Sequence, residues 1–185
     1  MCGRYALYGP RKRTRAETEY FSSIEQMPGS WNVAPTHMQP ITRLHEGAID
    51  QITARWGLIP HWAKDEKIGF KCINARAETV ATSPSFRGSF KLGHRCLVPA
   101  SGFFEWETQP DGKQPYYFTS AEGSLLAFAG LRDWWGGVSA SQKVSGTRCR
   151  IHGSRNGNRR KRGRAHHPAD QVGAEDWFWR GREGG

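Results

Sequence analysis

The chain opens Met1-Cys2-Gly3-Arg4-Tyr5, and Cys2 is the residue whose position offers chemistry of its own. A side chain as small as that of Cys2 allows the initiator Met1 to be removed. The new terminus is then a cysteine with a free α-amine beside its thiol. Ordinary pKa values of about 8 for the amine and about 8.5 for the thiol leave both partly deprotonated near neutrality. Such a 1,2-aminothiol attacks an aldehyde twice: the amine gives an imine, and the thiolate closes it to a thiazolidine. The thiolate can equally attack an acyl carbon with the amine as its base. A cysteine with neither role would look the same in the sequence.

Four loop-rich stretches hold the other candidates. In Ile73-Asn74-Ala75-Arg76 the polar residues alternate with apolar ones, so an extended strand sets Asn74 and Arg76 on one face. Arg offers a planar, permanently charged fork for a phosphate, and Asn can fix an amine or a carbonyl oxygen. Glu105 stands between Phe104 and Trp106. There it is either a surface residue of an alternating strand or a desolvated acid suited to proton transfer. Trp56, Trp62 and Pro35 have the flat surfaces that stack on unpaired bases, although burial in a core is the commoner fate of a tryptophan.

The elements that must position these groups are short. Thr14 and Glu17 have capping-box spacing, and Ala16, Tyr20, Ile24 and Met27 recur at threes and fours. This predicts a helix over 14–27, ended by Pro28-Gly29. Strands are expected at Ile41 to Leu44 and Ile49 to Trp56 around a Glu46-Gly47 turn. Further strands are expected at Cys96 to Val98, Phe103 to Trp106, Tyr116 to Thr119 and Leu125 to Ala129. The fold class is α+β: a β-rich single domain with a curved sheet or barrel and a few flanking helices. Eight Trp, nine Phe and five Tyr in 185 residues supply the core. No apolar run approaches the roughly 20 residues of a membrane span, and no leader pattern opens the chain, so the expectation is a cytoplasmic protein. Four scattered cysteines without a C-x-x-C pair argue against a zinc site or a disulfide framework. The net charge of +10 suggests nucleic acid, yet nine Lys/Arg and no acid lie within 143–164; without them 18 basic residues face 17 acidic ones. The bulk charge therefore says nothing about the folded part.

In this order, Met-Cys-Gly-Arg-Tyr (1–5), Asn-Val-Ala-Pro (32–35), Trp-Gly-Leu-Ile-Pro-His-Trp (56–62), Ile-Asn-Ala-Arg-Ala-Glu-Thr (73–79) and Gly-Phe-Phe-Glu-Trp (102–106) closely resemble the SRAP family. These are the abasic-site processing proteins of bacteria, with a eukaryotic counterpart that shields abasic sites. Lys113-Gln114-Pro115-Tyr116-Tyr117 and Phe128-Ala129-Gly130-Leu131 extend the likeness to about residue 135. The resemblance implies that Cys2 forms a thiazolidine with the aldehyde of an abasic site in single-stranded DNA, after self-removal of Met1. It implies Asn74 as the residue positioning the amine and opened sugar, and Glu105 as the proton shuttle. It implies Arg4 and Arg76 on flanking phosphates, and Trp62 and Pro35 against the neighbouring bases. No cofactor or metal is implied. The partner is single-stranded DNA, met at the nucleoid of a bacterial cell by a monomer. Self-removal of Met1 underlies the family's description as peptidases and implies hydrolase activity, and the imine implies a strand-incising lyase activity. Two rival readings are an N-terminal-nucleophile peptidase or amidohydrolase and a non-catalytic single-strand-binding module.

The likeness fails toward the C-terminus. The family's Thr-Thr-x-Ala-Asn strand and its Arg-Met-Pro turn are missing, which would leave a sheet edge unpaired. His166, in His166-His167-Pro168, falls near the place of the family's catalytic histidine, whereas Ile151-His152 comes too early. The expected organisation is a core over 2–136, an aberrant basic segment over 137–173 and a residual element over 174–185. Solvated chain, a basic tail for nucleic acid or a disturbed reading frame would each give that middle segment.

Overall fold

The computed structural model describes residues 3–8, 20–21, 29–121 and 123–136, together with the backbone of 144–149. Its strands are β1 (Arg4–Leu7), β2 (Ser30–Val33), β3 (Met38–His45), β4 (Ala48–Trp56), β5 (Asn74–Ala75), β6 (Arg95–Ala100), β7 (Gly102–Gln109), β8 (Gly112–Phe118), β9 (Leu126–Trp134) and β10 (Val144–Cys149). A 3-10 helix at Glu66–Lys71 and the short helix α1 (Arg87–Lys91) accompany them. The predicted helix over 14–27 lies outside the described residues apart from Tyr20 and Phe21.

Two sheets form. A four-stranded antiparallel sheet has the order β2-β1-β7-β8, and a six-stranded sheet has the order β4-β3-β6-β9-β10-β5. The larger sheet is antiparallel except where β10 runs parallel to β4 and β5. The α+β, β-rich class is thus the one the sequence indicates. The larger sheet does not close into a barrel: β10 meets β4 over only two residue pairs, Ser145 with Arg55 and Gly146 with Trp56. Each predicted strand falls on an observed one. The β3–β4 hairpin turns at Glu46 (φ 51°) and Gly47 (φ 81°), two left-handed residues whose twist matches that of the flanking strands. One expectation is corrected: β9 is not left as an edge. Val144–Cys149 pair with it from Val144–Trp134 to Arg148–Gly130. Backbone ladder bonds do not require apolar periodicity, which is why that strand was invisible in a Gly- and Ser-rich segment.

Alternation places Tyr5 and Leu7 of β1, Val33 of β2 and Phe103 of β7 on the inner face of the small sheet. There they meet Trp56, Leu97, Ala100 and Phe128 of the large one. The core is aromatic: Tyr5 lies 5.3 Å from Trp56, and Phe128 takes the rings of Tyr5 and Phe103 edge-on at 6.0 Å. Phe128 is wholly buried, which contributes about 2–3 kcal/mol. At the corner between β6 and β7, Ser101 fastens the chain to β1. Its N–H donates to the Ala6 carbonyl (2.8 Å), and its hydroxyl accepts from Tyr8 N–H (2.9 Å) and donates to the Tyr8 carbonyl (2.6 Å). No helix among the described residues is long and apolar enough to cross a membrane.

Candidate active site

The site is built from the start of β1. Arg4 pairs with Phe104, Tyr5 with Phe103 and Ala6 with Gly102, so the next residue along β7, Glu105, lies at the N-terminal end of β1. Glu105 shares the inward parity of Phe103 and is half-buried. Arg4, also half-buried, is paired with Phe104 and so stands on the outer face.

Tyr5 links this strand to Asn74. Its ring packs on Trp56, and the Trp56 indole Nε1 donates to the Ile73 carbonyl at 2.9 Å. A second tie, Leu58 N–H to the Cys72 carbonyl at 3.1 Å, fixes the same segment. Asn74, half-buried, therefore starts β5 from a clamped backbone. Close approach is permitted by Gly57, whose φ of 109° suits glycine; a Cβ there would lie 2.6 Å from the Gly69 carbonyl oxygen. The shared strand face expected for Asn74 and Arg76 is corrected. β5 ends at Ala75 and the chain turns, leaving Arg76 exposed beyond the strand. With only two residues, β5 is too short to impose alternation on its neighbour.

Two loops flank these residues. Pro35 and Thr36 form a turn held by Thr36 N–H to the Trp56 carbonyl (2.9 Å) and Trp56 N–H to the His37 carbonyl (3.0 Å). Thr36 sits at φ 79°, a strained position for a β-branched residue. Trp56 itself is buried, which removes it as a base-stacking candidate, whereas Trp62 is 53% exposed. The turn bearing Trp62 is latched on both sides by the end of β9. Asp133, buried, accepts from His61 N–H (3.1 Å) and lies 3.4 Å from His61 Nδ1. Trp135 Nε1 donates to the Ala63 carbonyl at 2.7 Å. Trp62, Ala63, Lys64, Asp65 and Ile68 line a shallow, mostly apolar groove of about 380 Å³. Asp133 and Trp135 were missed in the sequence; the Arg132-Asp133 pair closing an apolar strand was the one signal.

Burial shapes the local electrostatics. It lowers the His94 pKa below the usual histidine range, with help from the Arg132 guanidinium and against the pull of Asp133. Burial also pushes the Cys96 thiol up to about 12, against the opposing effect of Arg132. Cys96 and Cys72 are buried thiols, inert next to an exposed one. Of the residues singled out in the sequence, the register sets Arg4 and Glu105 near the N-terminal end of β1 on opposite faces of the small sheet, Asn74 follows the Ile73 carbonyl that Trp56 holds, and Pro35 lies in the turn bonded to Trp56. Cys2 and His166 lie outside the described residues.

A model of the SOS response associated peptidase (SRAP) family matches residues 1–151. The chain is similar to the abasic site processing protein YoqW of Bacillus subtilis strain 168, 41% identical over 142 residues, covering 73% of this chain and 61% of that protein. It is also similar to the abasic site processing protein HMCES of Gallus gallus, 33% identical over 176 residues, covering 73% and 52%. A crystal structure from Bordetella bronchiseptica superposes with a TM-score of 0.64 at 26% identity, over 80% of this chain and 71% of that one. The chain spans about three-fifths of the length of YoqW.

Proposed function

The chain belongs to the SOS response associated peptidase (SRAP) family, and from that premise we propose that it caps abasic sites in single-stranded DNA through a covalent bond to Cys2. In this reading Met1 is removed by the protein itself. The Cys2 amine adds to the aldehyde carbon of the ring-opened sugar, and the carbinolamine loses water to give an imine. The thiolate then adds to the same carbon while nitrogen takes up a proton, which completes a thiazolidine. One water leaves overall, and no electrons change hands.

The observation that carries the proposal is the β1–β7 register, which sets Glu105 beside the N-terminal end of β1. Cys2 is two residues before Arg4, a reach of at most about 7 Å. Glu105 protonates the departing hydroxyl of the carbinolamine and takes the proton back on reversal. The Asn74 amide orients the amine and the opened sugar. Arg4 and Arg76 hold the flanking phosphates, and Trp62 and Pro35 pack on the adjacent bases. His166 fills the role of the family's histidine.

Adduct formation on an abasic oligonucleotide, followed by denaturing electrophoresis, tests these assignments. Glu105→Gln is expected to slow adduct formation by about 100-fold, and Cys2→Ser to abolish it. A Glu105→Gln rate equal to the parent's would overturn the role of Glu105. Turnover of a peptide amide without any DNA adduct would favour the N-terminal-nucleophile hydrolase instead.

A further inference from the structure

The outer face of the small sheet carries a row of aromatic rings that no core cluster absorbs. Trp31 stacks on Tyr8 at 3.9 Å with planes 25° apart. The Tyr117 hydroxyl donates to the Tyr8 hydroxyl at 3.3 Å, and the Tyr117 ring lies 4.7 Å from Phe104, which neighbours Trp106 at 6.3 Å. The row crosses from β2 to β7, with Trp31 66% and Trp106 42% exposed at its ends. Two backbone devices create it. A register shift between β1 and β2, Tyr5 with Val33 but Leu7 with Ser30, turns Trp31 away from the side that Val33 occupies. Gly102 leaves room for Tyr117 to reach Tyr8, since a Cβ there would lie 2.5 Å from the Tyr117 hydroxyl.

Charge on this sheet is sorted between its faces. Strand pairing puts Arg4 with Phe104 and Lys113 with Thr108 on the aromatic side. The two carboxylates of the four strands, Glu105 and Glu107, have the inward parity of Phe103, and Glu107 accepts from the Tyr116 hydroxyl at 3.0 Å. The face is therefore aromatic and cationic, without an acid. Those are the two requirements of a platform for unpaired bases on a phosphate backbone. Trp31 and Tyr8 lie toward the β2 edge of the sheet, away from Glu105 on β7.

We infer that the outer face of β2-β1-β7-β8, from Trp31 to Trp106, is a stacking platform for the unpaired bases of a single strand, holding roughly two to three of them. The inference rests on the single-strand part of the proposed function and not on the aldehyde chemistry of Cys2. The test is fluorescence anisotropy of the full chain with an intact oligothymidine of about 12 nucleotides that contains no abasic site. Trp31→Ala is expected to weaken binding about tenfold, and Trp31→Phe, which keeps a ring, about threefold or less. Lys113→Ala is expected to reduce the logarithmic salt dependence by about 0.7. Folded Trp31→Ala protein that binds within about twofold of the parent would overturn the platform. So would a Trp31→Ala effect confined to self-association in sedimentation, which would make the face an interface between copies. Adduct formation is read separately by mass, so its absence bears on Cys2 and leaves this measurement standing.

Discussion

Removing the Asp133 carboxylate should loosen the Trp62 turn without touching Trp62. Asp133 is 6% exposed; its Oδ2 accepts from His61 N–H at 3.1 Å and its Oδ1 from Trp134 N–H at 2.9 Å. Asp133→Ala deprives both backbone donors of their acceptor. At a net of about 0.5–1.5 kcal/mol each, the loss comes to roughly 1–3 kcal/mol. The exposed His61 ring adds nothing to that figure, because its interaction is screened by solvent. For a chain of this size about 2 kcal/mol corresponds to a melting temperature lowered by roughly 4–8 °C. With the latch to β9 reduced to Trp135 on the Ala63 carbonyl among the described residues, affinity for a single-stranded oligonucleotide should fall severalfold. Asp133→Asn keeps one carbonyl acceptor and should recover about half of the stability loss. Differential scanning fluorimetry and anisotropy on the same samples provide the assay. A melting temperature within about 1 °C of the parent, with unchanged affinity, would refute the latch.

Other expectations follow from the buried groups. His94 has a lowered pKa, and its Nδ1 is buried without a partner among the described residues. The unfolded chain therefore binds protons more readily. Stability is complete above about 6.5, the ordinary histidine pKa, and declines as pH falls below it. His94→Gln should flatten that decline in urea melts between pH 7 and 5, and an unchanged slope would contradict the assignment. Alkylation with iodoacetamide at pH 8, mapped by peptide mass, should spare Cys72 and Cys96 in the folded protein, since both are buried and the Cys96 thiol is raised to about 12; rapid labelling of either would show that the core opens. Gly57→Ala combines a φ of 109° with a Cβ 2.6 Å from the Gly69 carbonyl oxygen. It should destabilise the protein by at least about 2 kcal/mol, and a neutral result in denaturant melts would mean that the Gly57–Gly69 approach is not tight.

Much of this arrangement was legible in the sequence, because strands with clean turn punctuation declare themselves. The Glu46-Gly47 hairpin and the Gly102–Gln109 strand are where alternation and turn residues put them. What failed to show was whatever depends on tertiary neighbours. Trp56 and Trp62 sit in one motif, yet Trp56 closes β4 against Tyr5 while Trp62 rides on a turn beyond Pro60. Nothing local distinguishes them. Arg76 falls beyond β5, which stops after two residues. Asp133 reads as half of a charged Arg132-Asp133 pair at the end of a strand until His61, distant in sequence, is folded against it. Trp31 reaches the outer face only through the shift between β1 and β2, and a one-residue slip has no compositional mark.

Intact mass of the purified chain, before and after incubation with a single-stranded oligonucleotide bearing one abasic site, tests the central claim most directly. The first spectrum should show the chain without Met1. The second should add the mass of the oligonucleotide less one water, and Cys2→Ser should not give that species. Folded protein that has lost Met1 and still forms no adduct would contradict the covalent role of Cys2.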